Sequence, residues 1–468
     1  MENVREIVLD TLLSLEREAQ YSNQLLKAVL DKYDYLEVRE KSFIKRVTEG
    51  SVERQIELDY YLNCYSSVPV SKMKPLIRCL MRMSVYQLLY MDAVPDSAVC
   101  NEACKLASKR KFGNLRGFVN GVLRKISREK DHLPLPDERT EPALRLSVEY
   151  SMPRWLVQRW LDEYGREITE TMLRGLLEIH PVSLRFCTNL SEQEREEICR
   201  KLEERGALLH QSSYLPYLYT MEYGGNITGL PGFQEGLWMV QDVSSALAVE
   251  AAGIQAGDFV IDACAAPGGK SLLAAERAGK VLSRDVSEEK TGLIRENAVR
   301  MKAANIEIQV WDATQFDETY EGKADVLLLD IPCSGLGILG KKRDIKYHVS
   351  REGLNTLTAL QKDIVRTCAG YVRPGGTLLY STCTINRAEN EDMVRFLAEE
   401  LGLIPDSLEN RLPGKLLEEK AEVTMLKEKC GKKSTELTQK EESACIQFLP
   451  GYMEADGFFI ARFLRPVK

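Results

Sequence analysis

Long hydrophobic runs are missing from this sequence: none approaches the roughly 20 apolar residues that a membrane-spanning helix needs. The first residues, MENVREIVLDTLLSLE, carry acids early and lack the basic start and long apolar core of a signal peptide. Aromatic residues are also scarce at 7%, whereas 44% of the 468 residues are hydrophobic and 28% are charged, as in ordinary globular proteins. These features predict a cytoplasmic protein without a membrane contact and, from its length, about three domains.

Histidine is scarce as well, with four residues in the chain, while the twelve cysteines are spread thinly along it. Without a secretory leader, the cysteines are expected to be free thiols in a reducing compartment. Cys100 and Cys104 lie one helical turn apart, but no histidine is near them in sequence. We therefore interpret this pair as thiols of a hydrophobic core and expect no metal site.

The net charge of −7 argues against a protein that coats nucleic acid indiscriminately. Basic residues are nevertheless concentrated between residues 105 and 130, where Glu129 is the single acid. The basic residues are Lys105, Lys109, Lys111, Lys125, Lys130, Arg110, Arg116, Arg124 and Arg128. Such a patch on an acidic protein favours selective contact with phosphates, but a solvated helix face explains the charge equally well.

Three regions differ in hydrophobic pattern, and we predict one domain for each. Residues 1–135 show helical periodicity without strand-like alternation, which predicts an all-α domain around a buried helix at 76–90. Residues 145–237 mix both patterns and predict a small α+β domain. Residues 238–468 alternate short strands and helices, which is typical of a doubly wound, mostly parallel Rossmann-like sheet. The Lys- and Glu-rich residues 414–442 are expected to be exposed or mobile. The predicted strands of the sheet are 258–262, 280–284, 307–310, 324–330, 377–381, 446–449 and 457–464.

A glycine-containing turn follows the first of these strands, in the run Asp262-Ala-Cys-Ala-Ala-Pro-Gly-Gly-Lys270. Gly268 and Gly269 allow the backbone to approach a ligand closely and to turn into the next helix. The run fits neither the P-loop pattern G-x-x-x-x-G-K-S/T nor the G-x-G-x-x-G of dinucleotide folds. Alone it is weak evidence for a ligand site, because ordinary strand-to-helix turns also contain glycine.

Three aspartates follow later strands of the same predicted sheet: Asp285, Asp312 and Asp330. The carboxyl ends of parallel strands meet at one edge, so these side chains and the glycine turn are expected to converge on one crevice. There Asp285 is positioned to hold ribose hydroxyls and Asp312 to accept from an adenine amine. Each aspartate alone is more simply a helix cap or turn residue, but together they favour a nucleoside ligand.

Two cysteines also stand directly after strands that are predicted to be neighbours. Asp330-Ile-Pro-Cys333 closes the fourth strand and Ser381-Thr-Cys383 closes the fifth. Because neighbouring strands lie about 5 Å apart, both thiols are expected to face one substrate. Apart from this placement, each thiol is more simply a structural residue.

The motifs DACAAPGGK, DxPCSGxG and STC together resemble the NOL1/NOP2/Sun family of RNA cytosine-C5 methyltransferases. Gln241-Asp242 and Asp344-Ile345-Lys346 fit the same family, and residues 1–130 look like the NusB-like RNA-binding domain that some members carry. The likeness spans nearly the whole chain. It implies a class I methyltransferase fold with S-adenosyl-L-methionine (AdoMet) as cofactor and RNA, rather than DNA, as partner. The expected RNA is 16S rRNA, free or within an incompletely assembled small subunit.

The resemblance also assigns roles to residues. Cys383 of the TC motif is implied to be the nucleophile, and Cys333 of the PC motif to assist breakdown of the covalent adduct or release of the RNA. A nucleophile is required because carbon 5 of cytosine is too electron-poor to attack a methyl donor until a thiolate has added at carbon 6. Asp330 is positioned to hydrogen-bond N3 or the exocyclic amine of the base. The family's cofactor residues map to Cys264, Ala265, Ala266, Pro267, Gly268, Gly269, Lys270, Asp285, Asp312 and Asp330.

The chain departs from the family pattern at two places. Thr384 stands where many members have serine, and residues 340–347 lack the His-Pro before Asp-Ile-Lys and end in tyrosine instead of tryptophan. Methylation of an exocyclic amine is disfavoured, because Asp330-Ile-Pro-Cys333 lacks the aromatic residue of the D/N-P-P-aromatic motif. A non-catalytic RNA-binding or assembly factor is the second hypothesis, although the glycine turn and Cys383 are both intact.

Overall fold

The computed structural model describes residues 3–17, 22–178, 181–431 and 437–467. The chain divides into two units, Met1–Leu177 with Leu339–His348, and Glu178–Ile338 with Val349–Lys468. The chain therefore leaves the second unit after Ile338 and returns to it at Val349. The three-domain division at residues 135, 145 and 237 stays a prediction.

The first unit consists of helices, with no strand among its described residues. Its central helix α5 begins with a proline in the first turn, where the missing N–H leaves no helical bond unmade. This helix packs against α1, α3, α4, α6 and α7, and Cys100 and Cys104 of α6 are buried in the core they form. The predicted all-α architecture and its buried central helix are confirmed. The helices are α1 (Val4–Arg17), α2 (Ser22–Lys32), α3 (Val38–Glu53), α4 (Gln55–Tyr65), α5 (Pro75–Tyr90), α6 (Asp96–Lys109), α7 (Arg116–Glu129), α8 (Pro142–Glu149), α9 (Arg154–Tyr164) and α10 (Arg166–Gly175).

The segment Leu339–His348, which returns to this unit, contains the short helix α15 (Ile345–His348). Two of its side chains donate hydrogen bonds to backbone carbonyls at the end of α3. The Lys346 ammonium donates to the carbonyl of Glu53 at 2.7 Å, and the Tyr347 hydroxyl donates to the carbonyl of Val52 at 2.7 Å. Burial lowers the pKa of Lys346 to about 7. Lys346 of the Asp-Ile-Lys motif and the following residue, Tyr347, therefore supply side-chain donors for carbonyls in the last turn of α3.

The second unit begins with a four-stranded antiparallel sheet in the order β2-β3-β1-β4. Its strands are β1 (Val182–Phe186), β2 (Leu208–Gln211), β3 (Leu218–Glu222) and β4 (Trp238–Val240). Helix α11 (Glu192–Glu203) starts with a capping box, in which Ser191 and Glu194 each bond the other's backbone N–H. This is the small α+β region that the mixed pattern predicts.

The larger sheet has the order β10-β12-β9-β8-β5-β6-β7, with β11 paired to β12. The five strands β5 to β9 run parallel to one another, whereas β10, β11 and β12 are antiparallel additions, which confirms a doubly wound, mostly parallel sheet. The strands are β5 (Phe259–Asp262), β6 (Lys280–Asp285), β7 (Ile306–Val310), β8 (Ala324–Asp330), β9 (Val372–Thr382), β10 (Ile404–Pro405), β11 (Cys445–Phe448) and β12 (Phe458–Leu464). The other helices are α12 (Val243–Ala252), α13 (Gly269–Ala275), α14 (Glu288–Arg300), α16 (Arg351–Cys368), α17 (Glu391–Arg395) with a π turn at Phe396–Glu400, α18 (Gly414–Lys429) and α19 (Gln439–Ser443).

The charged region 414–442 differs from the prediction of an exposed or mobile segment. Its first part is helix α18, which buries Leu416 and Val423. The ammonium of Lys420 donates to the carbonyls of Glu442 and Cys445, each at 2.7 Å. The prediction was wrong for this part because two apolar side chains on one face anchor an otherwise charged helix. Residues 432–436 lie outside the described residues.

No helix in the described ranges is long and apolar enough to cross a membrane. Within the same ranges, no group of three or more His, Cys, Asp or Glu side chains is arranged to hold a metal ion.

Candidate active site

A cavity of about 260 Å³ opens at the carboxyl ends of β5, β8 and β9. The order of the strands reverses between β5 and β8, which is where doubly wound sheets bind their ligands. The wall contains seven residues of the glycine-containing turn and its flanks, together with the ends of β8 and β9. These are Asp262, Cys264, Ala265, Ala266, Pro267, Gly269, Lys270, Asp330 and Cys383.

The glycine turn has the backbone that its sequence predicts. Gly268 adopts φ +103°, and a Cβ at this position would lie 3.2 Å from Cγ2 of Ile294, so a side chain would be strained in conformation and crowded as well. Asp285 at the end of β6 holds the turn, because its carboxylate accepts from the backbone N–H of Ala266 at 3.0 Å. The turn is therefore tied to the end of β6 by this hydrogen bond.

The two aspartates predicted for a nucleoside stand at the ends of adjacent strands. Asp285 is buried and lies 3.2 Å from the Lys290 ammonium. Asp312 is exposed just beyond β7, and its carboxylate accepts from the backbone N–H and hydroxyl of Thr314 at 2.9 and 2.8 Å. The cavity described above includes neither residue, so their part in ligand binding stays a prediction.

Asp262 is a carboxyl group buried at the end of β5. One of its oxygens accepts from the Ser271 hydroxyl at 2.7 Å, and the other has no hydrogen-bond partner among the described residues. Burial raises the pKa of Asp262 from 3.8 to about 7. A cavity wall with an unsatisfied carboxyl oxygen fits a ligand that brings a hydrogen-bond donor or a positive charge.

The raised pKa of Asp262 predicts how the stability of the protein depends on pH. The folded state keeps a proton that the unfolded state releases above about pH 4, so this group's contribution to stability is present below that pH. It is lost as the pH rises toward about 7. We expect Asp262→Asn to flatten the fall in the free energy of unfolding between pH 4 and 7, measured by urea unfolding at several pH values. The exposed control Asp363→Asn should leave the slope of the parent protein, and an unchanged slope in Asp262→Asn would contradict the raised pKa.

A polar chain connects the glycine turn to the ends of β8 and β9. The ammonium of Lys270 lies 2.7 Å from Oδ2 of Asp330, and the hydroxyl of Ser381 donates to Oδ1 at 2.8 Å. Asp330 and Ser381 are register partners in the parallel pair β8–β9. The Lys270 ammonium also lies 5.2 Å from the centre of the Phe458 ring. Asp330 is thus held in position with both oxygens engaged.

The two predicted thiols are neighbours. Sγ of Cys333 lies 3.0 Å from Sγ of Cys383, and Cys383 is the one that lines the cavity. The hydrogen bond with Cys383 and burial raise the pKa of Cys333 well above its usual range. The raised pKa favours the neutral thiol of Cys333.

Another part of the wall comes from residues 239–242, 244 and 245, where β4 of the small sheet leads into α12. Gln241 is held there by Arg185 of β1, a fully buried side chain whose Nε donates to Oε1 of Gln241 at 2.6 Å. Arg185 also pairs with Glu276 at the end of α13. The small antiparallel sheet therefore builds part of the cavity wall, and Gln241-Asp242 was the sequence signal for it.

Three further wall residues carry no signal in the sequence: Ile338, Asp456 and Phe458. Asp456 and Phe458 lie more than 70 residues beyond the TC motif and reach the cavity because β12 pairs with β9. Local sequence patterns contain no information on that pairing.

Comparisons with known proteins identify the family of this chain. The family model described as 16S rRNA methyltransferase RsmB/F matches residues 250–464, a NusB family model matches residues 2–128, and an RsmF/B-like ferredoxin-like domain matches residues 152–227. The chain is 35% identical over 464 residues to the probable ribosomal RNA small subunit methyltransferase B of Bacillus subtilis, with 98% of each chain covered. The chain belongs to the RsmB/F family. The family predicted from the three motifs is confirmed.

Other relatives of this RsmB/F chain are similar along their whole length. The probable ribosomal RNA small subunit methyltransferase B of Synechocystis is 29% identical over 98% of this chain and 99% of its own. Among solved structures, the fold matches that of PH0851 with a TM-score of 0.75 at 23% identity, covering 99% of each chain. NSun6 from Pyrococcus horikoshii with SFG matches 68% of this chain and 98% of its own, with a TM-score of 0.54 at 20% identity.

The family is one of AdoMet-dependent methyltransferases, and the residues of the cavity fit this cofactor. Four aspartates and one lysine are among its wall residues, so the cavity favours a cation such as the sulfonium and ammonium groups of AdoMet. The aspartates are Asp242, Asp262, Asp330 and Asp456. The unsatisfied oxygen of Asp262 and the glycine turn at Gly268 are consistent with the same ligand.

Proposed function

We propose that this protein transfers the methyl group of AdoMet to carbon 5 of a cytosine in 16S rRNA, in the cytoplasm. The names of its relatives support the ribosomal substrate. The observation that carries the proposal is the pair of thiols 3.0 Å apart, with Cys383 on the cavity wall and Asp330 at the neighbouring strand end. Methylation of an exocyclic amine needs no thiol, whereas methylation of carbon 5 needs a nucleophile that can also leave.

The proposed reaction gives each of these side chains one task. The Cys383 thiolate adds to carbon 6 of the base, and the resulting enamine makes carbon 5 nucleophilic. AdoMet supplies the methyl group. Carbon 5 then loses its proton to solvent water, the double bond re-forms, and Cys383 leaves as a thiolate while Cys333 assists this breakdown. Asp330, fixed by Lys270 and Ser381, hydrogen-bonds N3 or the exocyclic amine of the base.

We further propose that the residues of the glycine turn, 264–270, bind AdoMet together with three aspartates. Asp285 is assigned to the ribose hydroxyls and Asp312 to the adenine amine, because they stand at the ends of successive strands β6 and β7. Asp330 contributes negative charge near the sulfonium. The register of the parallel strands supports this arrangement.

We propose that the first unit binds RNA through helix α7. Within the described residues, four of the nine basic residues between 105 and 130 are paired with acids: Lys105, Lys109, Arg110 and Lys130. Arg116, Arg124 and Arg128 of α7 are exposed, and no ion pair holds them in the described ranges. Gly117 and Gly121 on the same helix have open space around them, so a phosphate backbone has close access to this surface.

Removing two of these charges tests the RNA surface. We expect Arg124→Ala/Arg128→Ala to weaken RNA binding about tenfold at physiological salt and to reduce the slope of log K against log salt by about 1.5. Filter binding or fluorescence anisotropy across a salt series measures both. The matched control Lys302→Ala/Lys323→Ala removes two exposed charges of the second unit and should change neither value. Equal losses in both double variants would contradict a specific surface on α7.

The proposed reaction is tested by identifying its product. Purified protein is incubated with labelled AdoMet and unmodified 16S rRNA, free or in partly assembled small subunits, and the RNA is digested to nucleosides for mass spectrometry. We expect the label in 5-methylcytidine. Label in N4-methylcytidine or in adenosine would contradict the proposal. RNA binding without any methylated product would favour the alternative of a non-catalytic assembly factor.

A further inference from the structure

Glu389 is a buried carboxylate that the proposed reaction does not use. It ends the single-turn segment Arg387–Glu389 and is 0% exposed. One oxygen accepts from the backbone N–H of Ser334 and from Nε2 of Gln361, each at 2.8 Å. The other accepts from the Ser334 hydroxyl and from Nδ2 of Asn386 at 2.8 Å. All four donors are neutral, and they fill the acceptor capacity of the group.

Three of these four donors belong to the two cysteine-bearing loops, and the fourth, Gln361, lies in α16. Ser334 follows Cys333 directly, and Asn386 lies three residues after Cys383. The hydroxyl of Ser334 also lies 2.7 Å from that of Thr384, the residue after Cys383. One carboxylate therefore bonds to both loops.

The next residue, Asn390, holds the TC loop on both sides of Cys383. Its Oδ1 accepts from the Thr382 hydroxyl at 2.7 Å, and its Nδ2 donates to the carbonyl of Thr384 at 3.0 Å. The same Nδ2 donates to Oε1 of Gln447 in β11 at 2.7 Å, which anchors Asn390 to the sheet. Asn390 thus fixes the loop that Glu389 connects to Cys333.

We propose that Glu389 is a positioning residue that, with Asn390, sets the separation of the two thiols of the active site. A buried carboxylate is costly unless hydrogen bonds satisfy it, and here three of the four bonds come from the two cysteine-bearing loops. Cooperative bonds of this kind fix both loops in one arrangement, because moving either one leaves a buried charge without its donors. The expected effect on catalysis rests on the proposed function, whereas the effect on the separation of the two thiols does not.

The geometric consequence can be measured without RNA or cofactor. Two thiols in van der Waals contact form a disulfide when diamide accepts their two electrons and two protons. We expect Glu389→Gln, which places an amide NH₂ against the donors, to slow formation of the Cys333–Cys383 disulfide at least tenfold. The disulfide is quantified by mass spectrometry as a link between tryptic peptides 324–341 and 367–387, and fragmentation of the linked peptides assigns it to Cys383 rather than Cys368. Glu399→Gln, an exposed acid of the same unit, is the matched control and should match the parent protein.

Catalysis provides the second readout. We expect Glu389→Gln to lower kcat at least tenfold while the Kd for AdoMet and the KM for RNA stay within twofold, a split that general loss of stability would not produce. Ser334→Ala removes only one of the four donors and should give a smaller decrease in both assays, so the inference stays testable if Glu389→Gln does not fold. Disulfide formation within twofold of the parent in both variants would overturn it. A parent protein that forms the disulfide but does not methylate RNA would contradict the proposed function and leave the positioning role supported.

Discussion

Replacing Cys383 by alanine is expected to abolish methyl transfer, with a loss of about 10⁴-fold or more in kcat. The loss is this large because carbon 5 stays unreactive unless a nucleophile adds at carbon 6, and the neighbouring sulfur is 3.0 Å from Cys383 but held as a thiol with a raised pKa. Methyl incorporation into 16S rRNA from labelled AdoMet measures the loss. Binding of AdoMet by the variant should match the parent and serves as the control for folding.

Cys333→Ala should have a different defect. If Cys333 assists breakdown of the adduct, this variant still attacks the base, and a denaturant-resistant protein–RNA complex accumulates on gels. Cys383→Ala should form none. A Cys383→Ala variant that methylates RNA, or a Cys333→Ala variant that lacks both adduct and activity, would contradict the division of roles between the thiols.

The second large effect is expected at Asp330. Asp330→Asn keeps an acceptor for the Ser381 hydroxyl but removes the negative charge that lies 2.7 Å from the Lys270 ammonium. The Lys270 side chain is 8% exposed, so water cannot replace this partner well. The uncompensated ammonium and the lost contact with the base should lower kcat by about 10²- to 10³-fold. Steady-state kinetics with RNA as the varied substrate measures this.

A matched control stands on the same strand. Asp325, near the other end of β8, accepts from the backbone N–H of Phe259 at 2.8 Å and lies far along the strand from the cavity. Asp325→Asn should leave kcat within about twofold, although the protein loses some stability. If Asp330→Asn were equally mild, Asp330 would have no role in the chemistry.

Much of the catalytic domain follows from its sequence, because strand and ligand signals there are local. The predicted strands at 258–262, 280–284, 307–310 and 324–330 correspond to β5, β6, β7 and β8 within two residues. In a parallel sheet the residues that follow each strand meet at one edge, so the sequence alone predicts that Asp330 and Cys383 lie close together. In the structure, Asp330 and Ser381 are register partners in β8 and β9, and Cys383 follows two residues after Ser381.

Other parts of the site depend on contacts between distant residues. Glu389 is one of 70 acids in the sequence, and nothing local marks it as the acceptor for Ser334, 55 residues earlier. Phe458 reaches the cavity through the antiparallel pairing of β12 with β9. The basic stretch 105–130 gives a third example, because charge counting does not show that Lys109 and Arg110 are paired with Glu6.

The central claim is that Cys383 forms the covalent bond to RNA, and the most direct test is to locate that bond. Cys333→Ala is incubated with AdoMet and 16S rRNA, the adduct is digested with nuclease and trypsin, and the modified peptide is sequenced by mass spectrometry. In the parent sequence Cys383 lies in peptide 367–387 with Cys368, and position 333 lies in peptide 324–341. The account predicts a methylated cytidine on Cys383. A nucleotide on Cys368 or any other cysteine, or methylated RNA with no adduct in this variant, would contradict it.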